Sequence, residues 1–175
     1  MGSRSGTYYR NREVSLMAYQ EPNALKRLAI MQSAKNVAIV GASDNPSRAS
    51  YFVSTYLLSA SKFKLFFVNP KLETILGQKV YKSLADIPEP IDIVDVFRKA
   101  SDIPGVLDEA IAIKAKTFWM QLGIEDQASA ERGVAAGMNV VQNRCLKIEH
   151  ARFAGGLNLA GFVTGIVSSK RNKSI

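Results

Sequence analysis

The stretch Val37-Ala38-Ile39-Val40-Gly41-Ala42-Ser43 decides the fold that the sequence predicts. Its first four residues form a short, continuous apolar run rich in β-branched side chains, which is typical of a strand buried on both faces of a parallel sheet. The run stops at a glycine, and a helical segment follows at about residues 50–59. The stretch therefore predicts the first strand of an α/β domain, with a loop at its carboxyl end.

The same alternation of strand and helix continues along the chain. Further strands are predicted at residues 65–68, 91–97, 117–120 and 138–142, and further helices at 103–113 and 126–136. Asn23 is expected to cap a short helix before the first strand, and Ser101 or Asp102 to cap the helix at 103–113. Strands that alternate with helices of this length form βαβ units with right-handed crossovers. We therefore predict a single Rossmann-like, doubly wound parallel sheet of about five strands with helices on both faces.

With 175 residues, of which 47% are hydrophobic, the chain is long enough for one domain with its own core. A single cysteine excludes an internal disulfide framework, and one cysteine with one histidine cannot form a structural zinc site. No apolar run reaches the roughly 20 residues that a membrane span needs. These observations predict a protein without a metal or a membrane anchor, in a reducing compartment.

The composition divides the chain into a domain and two tails. Residues 1–22 are predicted to be a disordered basic arm or a tag, residues 23–168 to be the domain, and residues 169–175 to be a basic tail. The arm is rich in arginine and serine, as transit peptides are. We therefore expect a cytoplasmic protein, or a mitochondrial one if the arm is native. The segment 153–167 is expected to cover a sheet edge, with a homodimer contact as the alternative.

The net charge of +8, from 23 lysines and arginines against 15 acidic residues, suggests an anionic partner. Much of this excess lies in the arm and the tail, where basic residues are usually solvated. No RNP or helix-turn-helix pattern is present, so nucleic acid is the weakest candidate partner. The cations at the predicted strand ends are therefore more informative than the total charge.

Polar and cationic side chains, with almost no carboxylate, follow the predicted strands. In an open parallel sheet, ligands bind at the carboxyl ends of the strands, beside the point where the strand order reverses. Backbone N–H groups and a helix N-terminus in the first loop would suit a phosphate group there. The strand ends therefore predict a site for a phosphate-rich ligand.

The first loop is a poor match to the dinucleotide fingerprint. Only its first glycine is present, as Gly41, whereas Ser43 and Pro46 stand where the second and third glycines are expected. Lys71 follows the second strand, where an NAD site places an acidic residue for the ribose 2′-hydroxyl. A cation there favours a ribose phosphate, as in NADP or coenzyme A (CoA), although Lys71 and Arg48 could each be ordinary surface residues. An NADP-dependent oxidoreductase or another NAD(P)-binding protein therefore stays open as the alternative.

Further sequence blocks follow the opening stretch in a fixed order: Asn45-Pro46-Ser47-Arg48, Val68-Asn69-Pro70-Lys71, Asp95-Val96-Phe97-Arg98, Trp119-Met120-Gln121-Leu122-Gly123 and Asn143-Arg144-Cys145-Leu146-Lys147-Ile148-Glu149-His150. Together they resemble the stand-alone CoA-binding protein family, which is similar to the CoA-binding domain of the succinyl-CoA synthetase alpha subunit. The resemblance covers about residues 35–153. It implies a Rossmann-type fold that binds CoA or an acyl-CoA, as a CoA sensor, carrier or accessory subunit.

The resemblance also implies which residues bind the cofactor. The phosphates would lie near Gly41, Ala42, Ser43 and Arg48. The adenosine with its 3′-phosphate would lie near Asn69, Pro70 and Lys71. The pantetheine arm would run along Phe97, Arg98, Gln121 and Gly123 toward Asn143 and Cys145. The chain departs from the family's usual residues at Ala49, Asn143 and Val163, where proline, aspartate and asparagine are common. The asparagine removes a negative charge beside Cys145, which weakens any proposal of acid–base chemistry there.

Cys145 and His150 are the pair with the most catalytic character, but on a helix their spacing separates them by about 140° around the axis. We therefore predict no catalytic dyad, and a binding protein rather than an enzyme. Cys145 is expected to be either a small, semi-buried residue or a thiol that forms a mixed disulfide with CoA. His150 lies within the binding domain and not in a separate phosphohistidine domain, so phosphoryl transfer is not expected. Trp119 is expected to pack near the ligand.

Overall fold

The predicted first strand lies in the interior of the sheet in the computed structural model, which describes residues 19–154. The strands are β1 (Asn36–Val40), β2 (Lys64–Val68), β3 (Thr74–Ile75), β4 (Gln78–Tyr81), β5 (Ile93–Val96), β6 (Thr117–Met120) and β7 (Asn139–Val141). The helices are α1 (Ala24–Ser33), α2 (Ala49–Ala60), α3 (Ile103–Ala112), α4 (Gln127–Ala135) and α5 (Leu146–Ala154), with single 3₁₀ turns at Leu84–Asp86 and Ala100–Asp102. None of these helices is long and apolar enough to cross a membrane.

The strands of the described residues form one sheet in the order β3-β4-β2-β1-β5-β6-β7. Neighbouring strands are parallel, except for the antiparallel pair of β3 and β4. The order runs outward from β1 in both directions, so the predicted doubly wound α/β class is confirmed. The strand order reverses between β1 and β5, and the carboxyl ends of these two strands therefore flank a crevice.

The prediction of about five strands is wrong, because β3 and β4 extend the sheet beyond β2 to seven strands. β3 has two residues, and β4 buries only Val80 fully. Neither strand has the alternation or the apolar run by which strands are recognised. Leu76 and Gly77 form the turn between them with φ angles of 50° and 72°, and leucine does not predict that conformation.

Two apolar layers cover the two faces of the sheet, as predicted. α1, α2 and α5 pack on one face, and α3, α4 and the first 3₁₀ turn pack on the other. Side chains alternate along β1, since Val37 and Ile39 face the first layer whereas Ala38 and Val40 face the second. All four are at most 5% exposed. Burial on both faces explains why the run from Val37 to Val40 contains no polar residue.

The predicted helix caps are found in part. The Asn23 side chain accepts a hydrogen bond from the Lys26 amide at 2.9 Å and caps α1, as predicted. Asp102 occupies the N-cap position of α3, but its side chain makes no capping hydrogen bond. Pro104, in the first turn, lacks an N–H group to be capped. The position of the α3 boundary is therefore confirmed, whereas side-chain capping is not.

Two residues before the predicted boundary at Asn23 contact the rest of the described chain. Tyr19 packs against the apolar layer of α3 and α4, and the Glu21 carboxylate forms an ion pair with Arg144. The rest of the predicted arm, the basic tail, Val163 and most of the segment 153–167 lie outside the described residues.

A fully buried carboxylate, Glu149, joins α5 to α1 through buried arginines. Its oxygens accept hydrogen bonds from Arg27 Nε at 2.9 Å and from Arg152 Nη1 at 3.2 Å, and Arg144 Nη1 lies 3.7 Å away. The three arginines are between 2% and 8% exposed. Buried charges are stable only when they are paired, so the packing of α1 on α5 depends on this carboxylate.

Replacing Glu149 with glutamine should lower the free energy of unfolding by about 3–5 kcal/mol, because buried guanidinium groups lose their charge partner while the side-chain shape is kept. Urea denaturation measures the change. The matched control is Asp108→Asn, which breaks an exposed ion pair with Arg132 and should cost less than about 1 kcal/mol. Equal losses in the two variants would contradict the structural role given to Glu149.

Candidate functional site

A pocket of about 680 Å³ opens at the carboxyl ends of the central strands. Its walls come from the loop after β1, the first turns of α2, the residues that follow β2, β5 and β6, and the start of α5. Its volume lies within the range of small-molecule sites. The pocket therefore occupies the position that a doubly wound sheet gives to its ligand.

Gly41 lets the loop after β1 pass against the end of β5. Its φ is 81°, and a Cβ atom at this position would lie 2.3 Å from the carbonyl oxygen of Phe97. The backbone is tied on both sides, because the Gly41 amide donates to the Val68 carbonyl at 3.1 Å and the Phe97 amide donates to the Val40 carbonyl at 2.8 Å. Only glycine satisfies both the conformation and the contact.

The loop between β1 and α2 is fixed by its own side chains. Ser43 Oγ accepts a hydrogen bond from the Asn45 amide at 3.1 Å, and Asn45 Oδ1 accepts from the Ser47 amide at 2.9 Å. α2 begins after Arg48, and no side chain caps its first turn at this position. That turn lines the pocket. The N–H groups of a helix start and the helix dipole favour an anion there.

The lining of the pocket is positively charged. Its charged residues are Arg48, Arg98 and Lys147, and it contains no aspartate or glutamate. Lys147 Nζ lies 3.8 Å from the centre of the Phe52 ring, in a cation–π contact. Within residues 19–154, no group of three or more His, Cys, Asp and Glu side chains is placed to hold a metal ion. The site suits an anionic ligand with an apolar part.

Most of the predicted cofactor-binding residues meet at this pocket. Those that line it are Gly41, Ala42, Ser43, Arg48, Asn69, Phe97, Arg98, Gln121 and Cys145. Pro70 and Lys71 lie in the exposed turn after Asn69, outside the lining. Asn69 joins two loops, since its Nδ2 donates to the Ala42 carbonyl at 2.7 Å and its Oδ1 accepts from the Lys71 amide at 2.8 Å.

Gly123 and Asn143 do not line the pocket but hold two loops together. Asn143 Oδ1 accepts a hydrogen bond from the Gly123 amide at 2.7 Å, and its Nδ2 donates to the Glu125 carboxylate at 2.7 Å. Asn143 has a φ of 54°, which asparagine tolerates. An aspartate here would face the Glu125 carboxylate without a hydrogen to donate, which gives a physical reason for the asparagine.

Helix residues that sequence reasoning missed complete the pocket. Phe52 and Val53 come from α2, and Lys147 and Ile148 come from α5. Phe52 is 61% exposed and stands beside the buried residues of its helix. A large aromatic residue outside the buried stripe of a helix is a sequence signal that could have indicated Phe52. α5 was not predicted as a helix, so none of its residues was expected at the pocket.

Cys145 and His150 have different surroundings. Cys145 is 8% exposed and lines the pocket. His150 Nδ1 lies 3.1 Å from the Tyr56 hydroxyl, and its ring packs edge-on against Tyr56 and Phe63. Burial raises the pKa of the Cys145 thiol and lowers the pKa of His150. Both groups are therefore mainly uncharged near neutral pH.

A buried carboxyl group lies directly behind the lining. Asp95 on β5 is 0% exposed, and its two oxygens lie 2.8 and 2.9 Å from Nε2 of Gln121. Burial raises the pKa of Asp95 well above its ordinary value, and the hydrogen bonds from Gln121 offset this only in part. Trp119, its neighbour on β6, is fully buried and donates to the Arg144 carbonyl at 2.8 Å. Trp119 is therefore a packing residue outside the lining.

The fold and the pocket define a Rossmann-like domain with a cationic cleft at the carboxyl ends of its strands. A model of the CoA binding domain family matches residues 35–151, which is most of the described chain. The chain therefore belongs to the CoA binding domain family, and the resemblance seen in its sequence is confirmed.

Relatives of two kinds share this domain. The protein YneT of Bacillus subtilis (strain 168), itself uncharacterized, is 36% identical over 132 residues, which are 75% of this chain and 97% of YneT. An ADP-forming acetate–CoA ligase of Methanocaldococcus jannaschii is 35% identical over 75 residues, which are 43% of this chain and 10% of the ligase. A hypothetical protein from Pyrococcus horikoshii OT3 is 35% identical with a TM-score of 0.72, over 75% of this chain and 92% of that structure.

Replacing Asp95 with asparagine should stabilise the fold more as the pH rises. Burial raises the pKa of Asp95 in the folded state, so above about pH 4 this carboxyl group ionises only in the unfolded chain. The free energy of unfolding of the wild type therefore falls as the pH rises, by up to about 1.4 kcal/mol per pH unit. Urea denaturation at pH 4 and pH 7 measures the effect. The control, Asp102→Asn at an exposed position, should show little change at either pH. A difference between wild type and Asp95→Asn that does not depend on pH would refute this account.

Proposed function

We propose that this chain binds CoA or an acyl-CoA in the pocket at the strand ends, and acts as a CoA sensor, carrier or accessory subunit without a complete catalytic set. The observation that carries the proposal is the charge of the pocket, which has three cations and no carboxylate beside the first turn of α2. CoA carries three phosphate groups and a long neutral arm. Membership of the CoA binding domain family supports the same ligand.

Each part of the pocket complements one part of CoA. The loop at Gly41 and Ser43 and the first turn of α2 suit the pyrophosphate. Lys71 is exposed at the turn beyond Asn69, where a 3′-phosphate that projects from the pocket would meet it. The lining continues past Gln121 to Cys145, which gives the pantetheine arm a path toward the thiol.

A binding role is favoured over a complete ligase activity by the relatives. In the acetate–CoA ligase of Methanocaldococcus jannaschii the similar segment is 10% of the protein, so that enzyme contains much that this domain does not supply. YneT corresponds to the domain almost throughout its length. The chemistry of this pocket, with cations and neutral polar groups, likewise supports holding a ligand more than transforming it.

An NADP-binding protein is the alternative, because Lys71 suits a ribose phosphate of either cofactor. The first loop favours CoA, since Gly41 is the only glycine of the dinucleotide fingerprint that is present. The two proposals predict opposite orders of affinity for CoA and NADP.

Isothermal titration calorimetry with CoA, dephospho-CoA, NADP and NAD tests the function. CoA should bind most tightly, by about tenfold or more over NADP, because the pocket combines a phosphate site with room for an arm that NADP lacks. Tighter binding of NADP than of CoA would reject the proposal. Within the same series, Lys71→Ala should remove most of the advantage of CoA over dephospho-CoA, whereas Lys79→Ala, an exposed lysine on β4, should keep it.

We also propose that Cys145 exchanges with CoA disulfide. The Cys145 thiolate attacks one sulfur of the disulfide, the sulfur–sulfur bond breaks, and one CoA thiolate leaves while the other stays bound as a mixed disulfide. No further oxidant is needed. The position of Cys145 in the lining supports this step, and its raised thiol pKa makes the step slow at neutral pH.

Intact-mass spectrometry after incubation with CoA disulfide should show the addition of one CoA, at a rate that rises about tenfold per pH unit between pH 7 and pH 8.5 because only the thiolate reacts. Glutathione disulfide should react more slowly, since it has no phosphates for the pocket to bind. Cys145→Ser should gain no mass. Equal rates with the two disulfides would show that the pocket does not direct the reaction.

A further inference from the structure

Gln121 and Asp95 share one face of the sheet, next to the pocket. Asp95 pairs with Trp119 in the parallel register of β5 and β6, and Gln121 follows Trp119 by two positions, so its side chain leaves the same face. Gln121 is 4% exposed and lines the pocket, whereas Asp95 is 0% exposed and lies behind it. Asp95 therefore lies behind the lining and is hydrogen-bonded to one of its residues, Gln121.

The carboxyl group of Asp95 sets the orientation of the Gln121 amide. Both Asp95 oxygens lie within 2.9 Å of Gln121 Nε2, which has two hydrogens to donate. Turning the amide over would place Oε1 against two oxygens, of which at most one carries a proton. At least one of these contacts would then be repulsive. The observed orientation, with Nε2 toward Asp95, is therefore the favoured one.

This orientation leaves the amide oxygen of Gln121 as an acceptor without a donor. Among residues 19–154, both hydrogen bonds of the Gln121 side chain are made by Nε2 and end on Asp95. Gln121 lines the pocket, and no described residue donates to Oε1, so this oxygen is available to accept a hydrogen bond from a ligand. The other polar lining groups include the cations Arg48, Arg98 and Lys147, which match phosphates. Gln121 Oε1 instead matches an N–H group of a ligand.

We propose that Gln121 is a specificity-determining residue that accepts a hydrogen bond from an amide N–H of a pantetheine arm, and that Asp95 is the positioning residue that holds Gln121 for it. This inference rests on the proposed binding of CoA and names the group that separates CoA from plain nucleotides. Pantetheine contains two secondary amides, whereas the nucleotide part of CoA can be bound by phosphate contacts alone. Gln121 thus selects for the arm and not for the nucleotide.

Calorimetry with two ligands, CoA and adenosine 3′,5′-bisphosphate, tests the proposal. The bisphosphate carries the nucleotide and its 3′-phosphate without the arm. Gln121→Met, which keeps the length of the side chain but has no acceptor oxygen, should weaken CoA about tenfold and change the bisphosphate less than about twofold. Asp95→Asn, which lets the amide adopt either orientation, should weaken CoA about threefold and leave the bisphosphate unchanged. Gln142→Met makes the same change at a glutamine outside the lining and should alter neither affinity.

The possible outcomes separate this proposal from the proposed function. If the wild type binds CoA and Gln121→Met binds both ligands more weakly by the same factor, Gln121 only shapes the pocket and the inference is overturned. Unchanged CoA binding in Gln121→Met also overturns it. If Gln121→Met does not fold, as judged by circular dichroism, the CoA preference of Asp95→Asn decides, and an unchanged preference overturns the inference. A wild type that fails to bind CoA overturns the proposed function together with the inference.

Discussion

The close approach of Gly41 to the Phe97 carbonyl is the contact on which the site depends. β1 and β5 are neighbours, and the chain leaves them toward opposite faces of the sheet, into α2 and α3. A Cβ atom at residue 41 would lie 2.3 Å from that oxygen and 3.3 Å from Arg98 Cδ. Any side chain would push the loop away from β5 and move the first turn of α2 with it. The crevice, the start of α2 and the position of Arg98 therefore all depend on a glycine at residue 41.

Four carboxyl groups of the scaffold lie outside the lining of the pocket. Glu149 is paired with buried arginines of α1 and α5, and Glu21 is paired with Arg144. Glu125 accepts a hydrogen bond from the side chain of Asn143. Burial raises the pKa of Asp95 and disfavours its charged form. These four acidic side chains thus belong to the scaffold, while the lining contains three cations.

Sequence reasoning found what a local pattern encodes. Strands β1, β2, β5, β6 and β7 were predicted because burial on both faces requires a continuous apolar run, and the residues that follow these strands were therefore placed at the pocket. α5 was missed because its charged residues are buried by partners far away in sequence, as Glu149 is by Arg27 across 122 positions. The pocket residues Phe52 and Lys147 were missed because the packing of α2 and α5 on the sheet decides which of their residues face the strand ends.

Asp95 shows why a site residue can resist sequence analysis even inside a correctly predicted strand. Its register neighbours Ile39 and Trp119 are fully buried, and an apolar residue between them would give a more stable core. A lone acid in such a strand therefore looks like a defect of packing. The structure gives it a partner, Gln121, whose orientation no apolar residue could fix. Asp95 thus lowers the stability of the core but orients the Gln121 amide that faces the ligand. Stability is exchanged for function at this position, and only the three-dimensional arrangement reveals it.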